Sequence, residues 1–332
     1  MTQPRTQTRV VTFTANPSID QTVALRQRLQ RGELQRADEV TEQAAGKGIN
    51  VAQVLSAAGC SVTMVIAGMD ADYRDRLAGF HLPWASVDLD AGQRVRVNLT
   101  LTEPDGTTTK INEPGPTLTP AQVAASVAQL TEACRGAVWA VLTGSLPPGA
   151  PRDWYVHLIA AIRPLGCRIA VDTSERPLLE VTRARSAAHI DLLKPNAAEL
   201  AQLTGGNAAQ FEAEAARGDV GAIVAAGRAL HQVGIAQVLV TLGAAGAVLV
   251  NASGAWQAWA PWSVVRSTVG AGDSAVAGFV LAAMAGASSA DCLARAVAYG
   301  TAAAALPGSR VPRPADLTPD MVRVQQVGES GR

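Results

Sequence analysis

Short runs of β-branched and aliphatic residues alternate along the chain with longer stretches rich in Ala and Leu. The runs at 10–13, 62–66, 137–142, 168–172 and 238–241 read as buried strands. The stretches at 49–58, 120–134, 197–203, 222–233, 271–285 and 290–304 read as helices. Strand and helix in alternation is the pattern of parallel βα units, and it predicts an α/β fold with one mostly parallel sheet covered by helices on both faces. One segment breaks this rhythm. Residues 96–102 and 107–111 flank Asp105-Gly106 and alternate with period two, which predicts a β-hairpin with one polar face. Such a hairpin is either an ordinary surface feature or part of a lid over the C-terminal edge of the sheet. The stretch 318–332 is expected to fray.

Length and charge narrow the partners. A chain of 332 residues can form one large α/β domain or two small ones. Its 28 Lys and Arg balance 28 Asp and Glu, so no long-range field recruits nucleic acid or an anionic membrane. Any anion must be held by a few placed cations. The apolar stretch 274–287 is shorter than the roughly 20 residues that a bilayer requires and reads as a buried helix. The polar start at 1–9 lacks the apolar centre of a secretion signal. Cys60, Cys134, Cys167 and Cys292 are scattered without metal-ligand spacing, as free thiols in a reducing cytoplasm would be.

The candidate chemistry begins at Ser267-Thr268-Val269-Gly270-Ala271-Gly272-Asp273. Glycines let backbone N–H groups converge, and a helix starting there adds its positive end, so the turn favours a phosphate. Asp273 beside such a turn is an awkward charge, which points to a base acting on a hydroxyl next to a transferable phosphoryl group. A plain helix cap has the same string. Two further segments bring the needed partners: Asn16-Pro17-Ser18-Ile19-Asp20 offers a carboxylate to sugar hydroxyls, and Gly46-Lys47-Gly48-Ile49-Asn50 combines close backbone approach with a cation.

These residues resemble the ribokinase-like (PfkB-type) carbohydrate kinases over nearly the whole chain. Gly46 to Ala52 is similar to the family's first signature and Thr268 to Ser274 to its second. Between them Gly144-Ser145-Leu146-Pro147-Pro148-Gly149, Asp172-Thr173-Ser174, Lys194-Pro195-Asn196-Ala197-Ala198-Glu199 and Thr241-Leu242-Gly243-Ala244-Ala245-Gly246 follow in the family's order. Gly32 to Ala37, Arg96-Val97-Asn98 and Lys110 to Pro116 are most similar to the branch that phosphorylates ketohexose phosphates.

The resemblance implies a ribokinase-like three-layer α/β/α kinase domain over 1–317, with a small β lid from about 20–45 and 95–113. It implies ATP and Mg²⁺ as cofactors, a sugar phosphate and a nucleotide as small-molecule partners, no nucleic acid or membrane partner, and a possible pairing of two copies through the lid. Asp273 would be the base, and Gly270, Ala271 and Gly272 the anion hole. Asp20, Gly46, Lys47, Asn50, Arg96 and Ser145 would hold the sugar phosphate, with Arg36 and Lys110 as further lid candidates. Lys194, Asn196, Thr241, Gly243 and Gly246 would face the nucleotide, and Glu199 would reach Mg²⁺ through water. The segment 306–310, with Arg310, falls where relatives contact nucleotide or a cation. The substrate implied is fructose 1-phosphate; fructose 6-phosphate and tagatose 6-phosphate are alternatives, and a non-catalytic sugar-phosphate sensor is the alternative outside catalysis. Ala45 stands where the family commonly has glycine, no glycine follows Ser174, and 68–95 is short for the family.

Overall fold

The first buried run forms β1 (Arg9–Thr14) at the centre of the molecule. The computed structural model describes residues 9–184, 189–261, 265–308 and 310–328. After β1 come β2 (Ser18–Leu25), β3 (Ala37–Ala45), α1 (Lys47–Ala57), β4 (Ser61–Met69), α2 (Ala71–Ala78), β5 (Trp84–Asp88), β6 (Arg96–Thr102), β7 (Thr108–Asn112) and α3 (Pro120–Ala133). There follow β8 (Trp139–Thr143), α4 (Trp154–Ile162), β9 (Arg168–Asp172), α5 (Glu175–Arg183), β10 (Leu192–Leu193), α6 (Ala197–Thr204), α7 (Ala208–Ala216), α8 (Gly221–Gln232) and β11 (Gln237–Thr241). The last elements are β12 (Ala247–Asn251), β13 (Gly254–Trp259), α9 (Ala271–Met284), α10 (Ser289–Ala305) and β14 (Arg323–Gln326).

Ten strands form one sheet in the order β14-β13-β12-β11-β10-β9-β8-β1-β4-β5. From β11 to β5 neighbours run parallel, as the alternation predicts. Successive residues of β8 feed opposite faces: Ala140 and Leu142 join the core under α3 to α8, whereas Trp139 and Val141 join the core under α1, α2, α9 and α10. The result is a three-layer α/β/α body. Phe13 and Trp154 meet edge to face at 5.5 Å between ring centroids in the first core, a contact worth about 0.5–1.5 kcal/mol beyond the burial itself.

The edge β12 to β14 is antiparallel, which the strand–helix alternation does not foresee. Only a short turn joins β11 to β12, too short for the crossover that a parallel neighbour needs. Gly246 makes the reversal at φ +85°, where an added Cβ would run into the Ala258 carbonyl. The C-terminal stretch expected to fray instead contributes β14, whose residues pair with 256–259 of β13. Residues 1–8, 329–332 and Ser309 lie outside the described residues. Cys60, Cys134, Cys167 and Cys292 are in no disulfide. Among the described residues no helix is long and apolar enough to cross a membrane.

A second sheet, β3-β2-β6-β7, holds the hairpin read from period two. Its register sets Gln43, Asp20, Asn98 and Asn112 side by side on one face. Three residues along, the row Val40, Val23, Leu101 and Thr109 points the other way and is mostly apolar.

Candidate active site

Two helix N-termini meet at the C-terminal edge of the large sheet. Helix α1 begins after Gly46 at φ +141°, and a Cβ there would lie 2.6 Å from Thr14 Cγ2. A Cβ on Gly48 would strike Thr14 Oγ1 and the Phe13 carbonyl, so glycine is what lets α1 start against β1. Helix α9 begins after Gly270 in the left-handed region at φ +73°. Neither helix has a side-chain cap, and unpaired N–H groups with a positive dipole end suit a phosphate.

Lys47 is the first residue of α1 and Asp273 the third of α9. Asp273 is only 6% exposed, and its Oδ2 accepts a hydrogen bond from Asn50 Nδ2 at 2.8 Å. Beneath them lies Asp172, the last residue of β9, buried and flanked by two cations. Lys47 Nζ is 3.1 Å from its carboxylate and Lys194 Nζ 3.2 Å. Burial works against the Asp172 charge, but Lys194 and Lys47 outweigh it and hold the carboxyl below the usual aspartate range. For Lys47, desolvation is likewise outweighed, by Asp172, Asp273 and Glu199, and its pKa rises. Asp273 goes the other way: burial lifts it, Lys47 pulls it back, Asp172 pushes it further up, and the balance falls at about 6.

The small sheet supplies the opposite wall. Asp20 Oδ1 accepts from Ser18 Oγ at 3.0 Å and from Asn98 Nδ2 at 3.1 Å. Burial raises the Asp20 pKa, and Ser18, Asn98, Arg96 and Lys110 restrain the rise. Arg96 donates to the carbonyls of Asn16 and Glu113 at 3.1 and 3.2 Å. Asn16 Nδ2 in turn donates to the Pro114 carbonyl at 3.0 Å and approaches Ser145 Oγ at 3.4 Å, joining the β1 and β8 loops to the end of the hairpin. A cavity of about 370 Å³ opens here, lined by Arg94, Arg96 and the segment 113–116. Arg36 and Lys110 are exposed on the lid.

On the far side of α9 is a larger cavity of about 650 Å³. Thr241, Gly243 and Gly246 line one wall, Ala271 and Gly272 the floor, and Ala296, Val297 and Gly300 the other wall. Small side chains leave a flat apolar slot that ends at the anion-favouring turn. Lys194 closes that end; a Cβ on Gly272 would sit 3.6 Å from its Nζ. Asn196 and Glu199 are occupied with each other: Asn196 Oδ1 accepts from the Glu199 N–H at 2.8 Å and Glu199 Oε2 from the Asn196 N–H at 2.9 Å. They form the capping box of α6. Among the described residues no cluster of three or more His, Cys, Asp or Glu could hold a metal directly.

Residues 14–316 match the pfkB family carbohydrate kinases. The chain belongs to this family. Among its relatives, the 1-phosphofructokinase of Xanthomonas campestris is 36% identical over 280 residues, 82% of this chain and 83% of that one. The 1-phosphofructokinase of Rhodobacter capsulatus is 34% identical over 315 residues, 93% and 94% of the two chains. The phosphofructokinase-2 of Escherichia coli in complex with potassium superposes with a TM-score of 0.82 at 29% identity, covering 93% of this chain and 96% of that one. The ribokinase of Arabidopsis thaliana, with a TM-score of 0.69 at 23% identity over 92% and 96% of the two chains, shares the fold. As a pfkB kinase the chain is a sugar-phosphorylating enzyme with a ribokinase-like core, and ATP use follows from the family.

Of the residues singled out in the sequence, Asp273, Asn50 and Lys47 converge on the floor, and Gly46 and Gly270 to Gly272 frame it. Asp20, Arg96 and Ser145 converge on the lid side, Thr241, Gly243 and Gly246 line the larger cavity, and Lys194 lies beside Asp172 and Gly272. In the sequence Asp172 stands in the Asp172-Thr173-Ser174 string with no part assigned to it. The available signal was an acid ending a buried strand, at the C-terminal edge of a parallel sheet where ligands bind. Asn16, the strut between Ser145 and Pro114, left no signal beyond its place after β1.

Proposed function

We propose that the chain transfers the γ-phosphoryl group of ATP to fructose 1-phosphate, giving fructose 1,6-bisphosphate and ADP. The observation that carries this reading is Asp273, buried at the first turn of α9 with Asn50 on its Oδ2 and the paired lysines beside it. The choice of sugar draws on relatives named 1-phosphofructokinase at 34–36% identity. Arg96 is a cation that a sugar already bearing a phosphate needs and a free sugar does not.

Phosphoryl transfer passes through a loose transition state, so the protein's task is alignment and charge neutralisation. Asp20 and Asn50 orient the sugar, while Arg96 and Ser145 hold its phosphate. The acceptor oxygen bonds to the γ-phosphorus as the bond to the leaving oxygen of ADP breaks. Its proton passes to Asp273. The N–H groups of the 270–272 turn, with Lys47 and Lys194, meet the charge on the transferring group. The larger cavity takes the nucleoside end. Asn196 and Glu199, each with polar capacity beyond the capping box, would hold Mg²⁺ through water, and the ion would supply further charge neutralisation.

The test is a coupled ADP-release assay with MgATP against fructose 1-phosphate, fructose 6-phosphate, tagatose 6-phosphate and fructose. A kcat/KM at least tenfold higher for fructose 1-phosphate is expected. Preference for a 6-phosphate would reverse the sugar and keep the mechanism; tight binding without any turnover would make the protein a sensor. The same assay carries a pH signature. Because Asp273 must be ionised to take the proton, kcat/KM should be level above its pKa of about 6 and fall by about tenfold per pH unit below it. A profile flat down to pH 5 would remove Asp273 as the base.

The apolar face of the lid supports pairing of two copies. Val40 and Ile111 are 52% and 57% exposed on it, beside Val23 and Leu101. A phosphofructokinase-2 of Escherichia coli is described as tetrameric in its inhibited form. Light scattering should return a dimer mass that Val40→Glu with Ile111→Glu reduces to the monomer; a monomer mass for the unaltered chain would refute the pairing.

A further inference from the structure

Buried polar atoms are nearly always paired in folded proteins, and those that are not ask for a reason. Here Thr14 Oγ1, Asn16 Oδ1, Asn50 Oδ1, Arg96 Nε and Asn98 Oδ1 are buried without a partner, and all five surround the candidate site. At Asn98 the reason is visible. The register of β2 with β6 pairs Ser18 with Arg96 and Asp20 with Asn98 on one face of the lid. From there Asn98 Nδ2 donates to Asp20 Oδ1 at 3.1 Å, and Ser18 Oγ donates to the same oxygen at 3.0 Å. An amide can turn only its nitrogen towards a carboxylate, because its carbonyl would be repelled. That orientation strands Asn98 Oδ1, so the side chain is held where it serves Asp20 at the expense of its own hydrogen bonding.

We propose that Asn98 is a positioning residue: with Ser18 it ties down Oδ1 of Asp20 and so directs Oδ2 at a hydroxyl of the bound sugar phosphate. This rests on the reading above, in which Asp20 holds the sugar. The charged and titratable groups that act on Asp20 are Arg96 from β6, Lys110 from β7 and Tyr73 from α2. Burial raises the Asp20 pKa and Asn98 is among the groups that restrain it, so losing Asn98 both frees the carboxylate to rotate and makes it easier to protonate.

Three variants separate positioning from packing. Asn98→Leu and Asn98→Ala lose the donor alike and should each raise the KM for fructose 1-phosphate by about ten- to hundredfold, the worth of one hydrogen bond to a charged group. The KM for ATP should stay unchanged, since the lid strands do not line the larger cavity. Asn98→Asp keeps the shape but opposes two carboxylates, and should be worst at neutral pH. Its KM should then improve as pH falls, because one shared proton restores a donor, whereas the unaltered enzyme worsens as Asp20 protonates. A packing role would instead make Ala the worst and leave Leu and Asp mild, with no opposite pH trends; that order, or an unaltered KM throughout, overturns the proposal. Calorimetric titration of fructose 1-phosphate reads the same series without turnover. If the sugar phosphate binds and the variants match the unaltered chain, only Asn98 loses its role; if it does not bind, the function proposed above falls too.

Discussion

Replacing Asp273 with asparagine should lower kcat by about 10²–10⁴-fold, the usual worth of a positioned general base. The substitution keeps shape and volume, so α9 and the Asn50 contact have no steric reason to move. What changes is chemistry. Asn50 Nδ2 donates to Oδ2 in the native site, so the new amide must turn its oxygen to Asn50 and its nitrogen to the position where the acceptor hydroxyl has to lose a proton. A donor then faces a donor. Ground-state binding of phosphates should hold or tighten, because a carboxylate that opposes anions has gone while Lys47 and Lys194 remain. The measurement is kcat and KM for both substrates in the coupled assay, with the acid limb near pH 6 expected to vanish in the variant. A kcat within a few-fold of the unaltered enzyme would leave Asp273 as a structural acid and send the search for a base elsewhere.

The sequence announces this floor because its parts are backbone features. Gly46, Gly48 and Gly270 appear as glycines in short strings, and each is needed where a Cβ would clash or where φ is positive. The parallel centre of the sheet is legible for a similar reason: strands buried on both faces read as continuous apolar runs. Less legible is what depends on pairing between distant segments. The antiparallel edge β12 to β14 follows from the length of one turn and from a C-terminal strand too polar to declare itself. Asn98 becomes significant only through the register that sets it beside Asp20. Asp172 shows in the sequence only as an acid ending a buried strand, because one aspartate looks like another until two lysines, 125 and 22 residues away along the chain, arrive at its carboxylate.

That carboxylate gives the second large effect. Lys194 has a side chain only 5% exposed, and Asp172 is its ion-pair partner. Removing one partner of a buried pair leaves the other charge uncompensated and typically costs about 3–5 kcal/mol, so Asp172→Asn should lower the denaturation midpoint with an unchanged slope. Lys47 adds less to this loss, because its side chain is 40% exposed and water can take over. The pH dependence fixes the sign. Asp172 is depressed in the folded state, so its contribution is present above the unfolded aspartate pKa of about 3.9 and fades as pH drops through the lower folded value. The stability gap between the two proteins should therefore be full at neutral pH and close in acid. Activity carries a second readout, since Asp172 is one of the charges that lift Asp273. Without it the acid limb of kcat/KM should move below pH 6, towards the ordinary aspartate range. Equal stability at neutral pH would mean that the lysines find solvent on their own. An unmoved acid limb would mean that burial alone sets the base.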